Sequence, residues 1–108
     1  MRALAILAAL LPGAALAEPP FTTLTYTCER GVTVPVTYVN TGDTALAVLN
    51  VEGRQVTLLA ERAASGARYG WPSDGAHYVW WSKGDGAVLL WHGPDGTEDV
   101  LLASCTAT

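Results

Sequence analysis

The sequence predicts an all-β domain of short antiparallel strands, a sandwich or a barrel. Three observations carry this reading. Apolar and polar residues alternate with a period of two along most of the chain. Turn-forming residues recur between the alternating runs, and helix signals are scarce. Strand signals at this spacing belong to closed or doubly layered antiparallel architectures.

The chain has 108 residues, enough for one small domain, and its first 17 read as an address. Arg2 is a minimal positive start. Leu4 to Leu11 is an apolar run, Pro12 and Gly13 break it, and Ala15-Leu16-Ala17 is a small-residue cleavage site before Glu18. That order is the pattern of a secretory signal peptide, and the run is far short of the roughly 20 residues of a membrane span. No cysteine follows the small residues, so a lipoprotein anchor is not expected. The expected organisation is therefore a cleaved signal at 1–17 and one domain at 18–108, working in the periplasm.

Within that domain Glu18-Pro19-Pro20 is a stiff lead-in. Leu24, Tyr26 and Cys28 share one face of the first strand. Glu29-Arg30-Gly31 turns the chain, and Val32, Val34, Val36 and Tyr38 alternate along the second strand. Pro35 lacks an N–H, which suggests an edge position or a bulge. Asn40 to Asp43 forms the next turn, followed by a strand from Ala45 to Val51. Glu52-Gly53 is a tight hairpin turn before a strand from Gln55 to Leu59. Ala60 to Ala64 allows one helical turn, too short to persist alone. Ser65 to Tyr69 follows, and further strands are expected over His77–Ser82, Ala87–Trp91 and Val100–Cys105, which makes seven or eight short strands in all. Pro72 to Gly75, Lys83 to Gly86 and Gly93 to Gly96 turn the chain between them.

Charge excludes several functions. The net charge is −4, and loss of Arg2 with the signal leaves five basic against ten acidic residues, or −5. Nucleic acid and anionic membrane surfaces both require a basic patch. Two cysteines, two histidines and scattered aspartates make no metal constellation, and no cofactor is expected. In an exported protein Cys28 and Cys105 are expected to form a disulfide. Such a bridge closes almost the whole domain and stabilises it by about 4 kcal/mol in the loop-entropy model. Ser65, His77 and Asp74 do not build a hydrolase, because Ser65 lacks the glycine frame of a nucleophile elbow.

Two segments stand out. Ala64-Ser65-Gly66-Ala67-Arg68-Tyr69 and Trp81-Ser82-Lys83-Gly84-Asp85-Gly86-Ala87 each set a polar side chain beside glycine. The second holds Lys83, the only lysine of the chain. Ser65-Gly66-Ala67-Arg68-Tyr69 and Trp81-Ser82-Lys83-Gly84-Asp85 closely resemble the two signature stretches of the bacterial MliC/PliC proteins, inhibitors of c-type lysozyme. The likeness also takes in Tyr26-x-Cys28, the strand from Val32 to Asn40, Ala87 and the late Cys105. Gly86 departs from the family, which often has a carboxylate there.

The resemblance implies an eight-stranded antiparallel β-barrel closed by the disulfide, and an inhibitor rather than an enzyme. It implies that Ser65 and Lys83 enter the lysozyme cleft, with Gly66, Arg68, Tyr69, Gly84 and Asp85 completing the binding loops. Chemistry makes this reasonable. The c-type enzyme needs one protonated and one ionised carboxyl group close together. An ammonium between them bonds to both and favours ionisation of the acid, which then has no proton to give. A serine hydroxyl adds a neutral donor. These lysozymes are typically basic, so an acidic inhibitor is steered to them.

The runner-up is a glycan-binding module using Trp71, Trp80, Trp81 and Trp91. Neighbours on a strand point to opposite faces, so Trp80 and Trp81 cannot share a platform. One is expected in the core and the other near the Lys83 loop. A structural domain with no cleft-directed loop is the third reading.

Overall fold

The computed structural model describes residues 18–73 and 75–108. The expected signal at 1–17 lies outside the described residues, as does Asp74 of the Pro72–Gly75 turn. Eight strands follow in chain order: β1 (Phe21–Thr27), β2 (Thr33–Asn40), β3 (Ala45–Val51), β4 (Arg54–Glu61), β5 (Ala67–Gly70), β6 (His77–Lys83), β7 (Gly86–His92) and β8 (Glu98–Ala107). Each pairs antiparallel with the next, and the sheet closes into a barrel through β1 and β8, where Tyr26 lies opposite Ala107. The closing seam is short: only Tyr26 and Thr27 of β1 lie opposite Ala107 and Thr106 of β8.

The connections follow the turn chemistry. Glu29 to Gly31 is a single 3₁₀ turn with Arg30 at φ 60°. Glu52 and Gly53 both take positive φ, as a two-residue type I′ hairpin requires. Lys83 lies opposite Gly86, so the β6–β7 turn is only Gly84-Asp85, with Gly84 at φ +60° in the first central position. Pro35 lies opposite Thr25 in β1, just outside the stretch of β2 that pairs with β3, which begins at Val36. Its missing N–H is therefore asked for nothing on that side.

Three segments change or gain definition. The span from Ala60 to Ala64 is not helical: Ala60 and Glu61 continue β4, held opposite Tyr69 and Arg68. The segment from Ser65 to Tyr69, to which the sequence assigns no element, is extended only from Ala67, because Gly66 at φ +68° interrupts extended backbone. The last strand runs from Glu98 to Ala107, longer than Val100 to Cys105. Its register against β7 shifts twice between Ala87 and Leu90, and Ser104 takes φ 55° in that stretch. The shifts bend β8 so that its last residues reach β1.

Alternation fills the interior. Tyr26, Val34, Val36, Leu49, Trp80 and Leu89 are almost wholly buried. The Trp80 ring meets Tyr26 edge-on at 5.1 Å. Its Nε1 donates to Tyr38 Oη at 2.8 Å, and the Tyr38 and Tyr26 hydroxyls bond to each other at 2.8 Å. The polar tips of three large aromatics thus satisfy one another, which burial demands. Burial, followed by the bond to Tyr38, pushes the Tyr26 hydroxyl pKa far up, so Tyr26 stays neutral. Cys28 and Cys105 are buried beside it and form the disulfide.

Candidate functional site

The two segments singled out in the sequence, some 20 residues apart, meet at one end of the barrel. Cross-strand register does this. Ala67 lies opposite Ser82, Arg68 opposite Trp81 and Tyr69 opposite Trp80. The residues just before β5, Ser65 and Gly66, therefore fall beside the end of β6, where Lys83 stands. Contact is close: a Cβ placed on Gly66 would lie 2.4 Å from the Ser82 carbonyl oxygen and 2.6 Å from Lys83 Cγ. Only glycine fits there, and φ +68° suits glycine for the same residue.

Trp81 organises the junction. Trp80 points inward, so Trp81 points out. Its Nε1 donates to the Ser65 carbonyl at 2.9 Å. The Lys83 ammonium lies 4.7 Å from the centre of its ring system, and the Arg68 guanidinium carbon lies 5.2 Å away. Both are within cation–π range.

Arg68 is held from the other side. It donates through Nε to Glu61 at 2.5 Å and through Nη2 to Glu98. Glu98 also accepts from His92 Nδ1 at 2.8 Å. The Arg68–Glu98 pair joins β5 to β8, so it passes over β6 and β7. Val79 and Leu90 lie opposite each other in β6 and β7 and are buried. The bond to Glu98 raises the Arg68 pKa, and the same bond holds the Glu98 carboxyl below its ordinary range. Arg68 is thus a neutralised strut, whereas Lys83 makes no salt bridge among the described residues.

The expected site residues divide accordingly. Ser65, Gly66, Lys83, Gly84 and Asp85 are exposed at the rim. Arg68 is half-buried, with its charge already paired. Tyr69 turns inward, packs against the core and lies 5.5 Å from Tyr38. Burial raises its hydroxyl pKa. The backbone of Asp85 ties the turn to the C-terminal strand, accepting from Ala107 N at 2.8 Å. An apolar groove lined by Trp81, Val88, Leu90, Val100 and Ala103 runs along the outer wall from Lys83. Sequence reasoning missed Glu61 and Glu98. Once strand register is known, Glu61 opposite Arg68 and Arg68 opposite Trp81 form a readable row.

The tryptophans do not form one platform. Trp80 is interior, Trp81 is bound into the rim, and Trp91 meets Tyr78 edge-on at 5.0 Å. Trp71 is 45% exposed, in a cleft shared with Trp91 and Tyr78, near the opposite ends of β6 and β7. Among the described residues no cluster of three or more histidine, cysteine or acidic side chains is arranged to hold a metal ion.

Comparison with known proteins identifies the family. Residues 26–98 match the family model MliC, membrane-bound lysozyme-inhibitor of c-type lysozyme. A protein of Cupriavidus necator named membrane-bound lysozyme inhibitor of C-type lysozyme is 35% identical over 89 residues, 82% of this chain and 68% of that one. Its Pseudomonas aeruginosa namesake is 37% identical over 78 residues, covering 69% of this chain and 58% of its own length. Among solved structures, Pseudomonas aeruginosa MliC in complex with hen egg white lysozyme aligns with a TM-score of 0.57 at 30% identity, over 86% of this chain and 92% of that one. The Adhesin Complex Protein of Neisseria meningitidis aligns with a TM-score of 0.54 at 19% identity, over 80% of this chain and 98% of that one, a likeness of fold. The family model and the named relatives agree: the chain belongs to the MliC family of c-type lysozyme inhibitors, proteins that block an enzyme rather than act as one.

Proposed function

We propose that this protein inhibits c-type lysozyme in the cell envelope by inserting the rim formed by Lys83 and Ser65 into the enzyme's cleft. The observation that carries the reading is the contact between the two loops. Gly66 packs against Lys83, so the serine and the lysine are presented together rather than as separate surface features. Family membership supplies the target: the relatives are named for inhibiting this class of enzyme.

The chemistry runs through charge. Lys83 is a long-stemmed cation with no carboxylate partner of its own among the described residues. In the cleft it meets two carboxyl groups about 5–5.5 Å apart, one of which must be protonated for catalysis. The ammonium stabilises that group's ionised form and occupies the sugar's place. Ser65 donates a hydroxyl to the same region. The acidic remainder of the domain guides a basic enzyme to the rim, a contribution that weakens with salt.

A clearing assay tests the proposal. Purified protein should slow the lysis of bacterial cell-wall suspensions by hen lysozyme and co-elute with the enzyme at low salt. The complex should weaken as salt rises. The glycan-binding alternative predicts retention on cell-wall saccharide without any lysozyme. Unhindered lysis together with that retention overturns the inhibitor reading.

A further inference from the structure

We propose that Trp81 is the positioning residue that makes the two inhibitory loops one unit. The inference rests on the lysozyme-inhibitor reading and adds a residue to it. A flexible lysine at a hairpin tip samples many rotamers, and ordering it on binding costs affinity. Here one indole restrains that lysine and the facing loop together. Its ring face holds the Lys83 ammonium at 4.7 Å, and its edge holds the Ser65 backbone at 2.9 Å. The Ser82 hydroxyl also donates to the Ala67 carbonyl at 3.4 Å, but Trp81 is the side chain that contacts Ser65 and Lys83 together. Gly66 supplies the space for their approach, but Trp81 supplies the attraction.

The indole is itself braced. Arg68 lies opposite it in the register and against its ring, and Glu61 and Glu98 hold Arg68 in turn. Two cations on one indole would repel each other if both were uncompensated. Arg68 is compensated by two carboxylates, so Lys83 remains the free charge of the pair. The order of dependence is therefore carboxylates, Arg68, Trp81, then Lys83 and Ser65. Trp81 need not touch a partner to act in this way.

The test compares inhibition constants for hen lysozyme across five proteins: wild type, Trp81→Leu, Trp81→Phe, Lys83→Ala and the double variant Trp81→Leu/Lys83→Ala. Thermal unfolding is measured for each. Loss of the ring contact and of the indole donor together should weaken inhibition by about ten- to a hundredfold in Trp81→Leu. Trp81→Phe keeps a ring for the ammonium and loses the N–H, so it should recover a large part of that loss. The double variant should be worse than Lys83→Ala alone by clearly less than the full Trp81→Leu loss, because the part of Trp81's action that runs through the lysine is already gone and only the hold on Ser65 remains.

Wild-type inhibition by Trp81→Leu overturns the proposal. So do fully additive losses in the double variant, or a Trp81→Phe variant no better than Trp81→Leu. If Trp81→Leu unfolds, the comparison of Trp81→Phe with Lys83→Ala and their combination decides by the same rule of additivity. Full inhibition by Lys83→Ala would instead remove the insertion reading on which the proposal rests, so the two failures are distinguishable.

Discussion

Trp80 and Trp81 are neighbours in sequence and serve opposite faces of the barrel wall. Trp80 is fully buried, meets Tyr26 edge-on and spends its N–H on Tyr38. Trp81 lies on the outer wall, spends its N–H on the Ser65 backbone and carries two cations against its ring. The same side chain thus acts once as core and once as a bracket for the site. Strand geometry alone separates the roles, since successive side chains leave a strand on opposite faces. The inner face of β6 holds the barrel together, and the outer face arranges what the barrel presents.

Changes to the inner face should therefore cost stability first, and changes to the outer face should cost inhibition first. Trp80→Ala should have the largest effect. It empties a large buried site and leaves Tyr38 without a donor, so about 3–5 kcal/mol of stability should be lost in a denaturant titration. Replacing both Cys28 and Cys105 by serine should cost about 4 kcal/mol, because the bridge spans 77 residues of chain. The same titration under non-reducing conditions measures it.

Gly66→Ala sharpens the contrast from the other side. The added methyl meets the Ser82 carbonyl and Lys83 Cγ in a backbone conformation that alanine avoids. About 1–2 kcal/mol of stability should be lost. Inhibition should fall more than that modest loss of stability accounts for, as the two loops are pushed apart. Lysis assays beside thermal melts separate the two effects.

Glu98 gives the smallest effect, and one that depends on pH. Its carboxyl sits below the ordinary value of 4.5 because Arg68 bonds to the ionised form. A group depressed in the fold contributes its stability above its unfolded pKa and loses it as pH falls through the folded one. Glu98→Gln should therefore cost roughly 1 kcal/mol or less at pH 7, since the pair is partly exposed. At pH 3 the variant and the wild type should melt closer together. Melting curves at the two pH values check this.

Much of the fold was legible in the sequence, and the reason is physical. Period-two alternation reports directly which side chains face inward, and Glu52-Gly53 or Gly84-Asp85 specify their turns through backbone sterics. Closure into a barrel was not legible from alternation, because a sandwich alternates equally well. The family resemblance supplied it. Boundaries were not legible where one glycine or a bulge intervenes, as at Gly66 before β5 and at Ser104 within β8. Of the site, the serine and lysine loops were legible as motifs. Their contact was not, because it depends on the β5–β6 register. Glu61 and Glu98 stayed hidden for the same reason: each looks like a surface charge until register places it against Arg68. Tyr69, read as part of the binding loop, is turned inward by the same alternation that turns Arg68 out.

On the proposed reading, inhibition is carried by an outer rim whose key cation the fold does not need. Lys83→Ala tests it most directly, with lysozyme inhibition and thermal unfolding measured on one preparation. Loss of most inhibition at an unchanged melting temperature is expected. Full inhibition by the folded variant would contradict it.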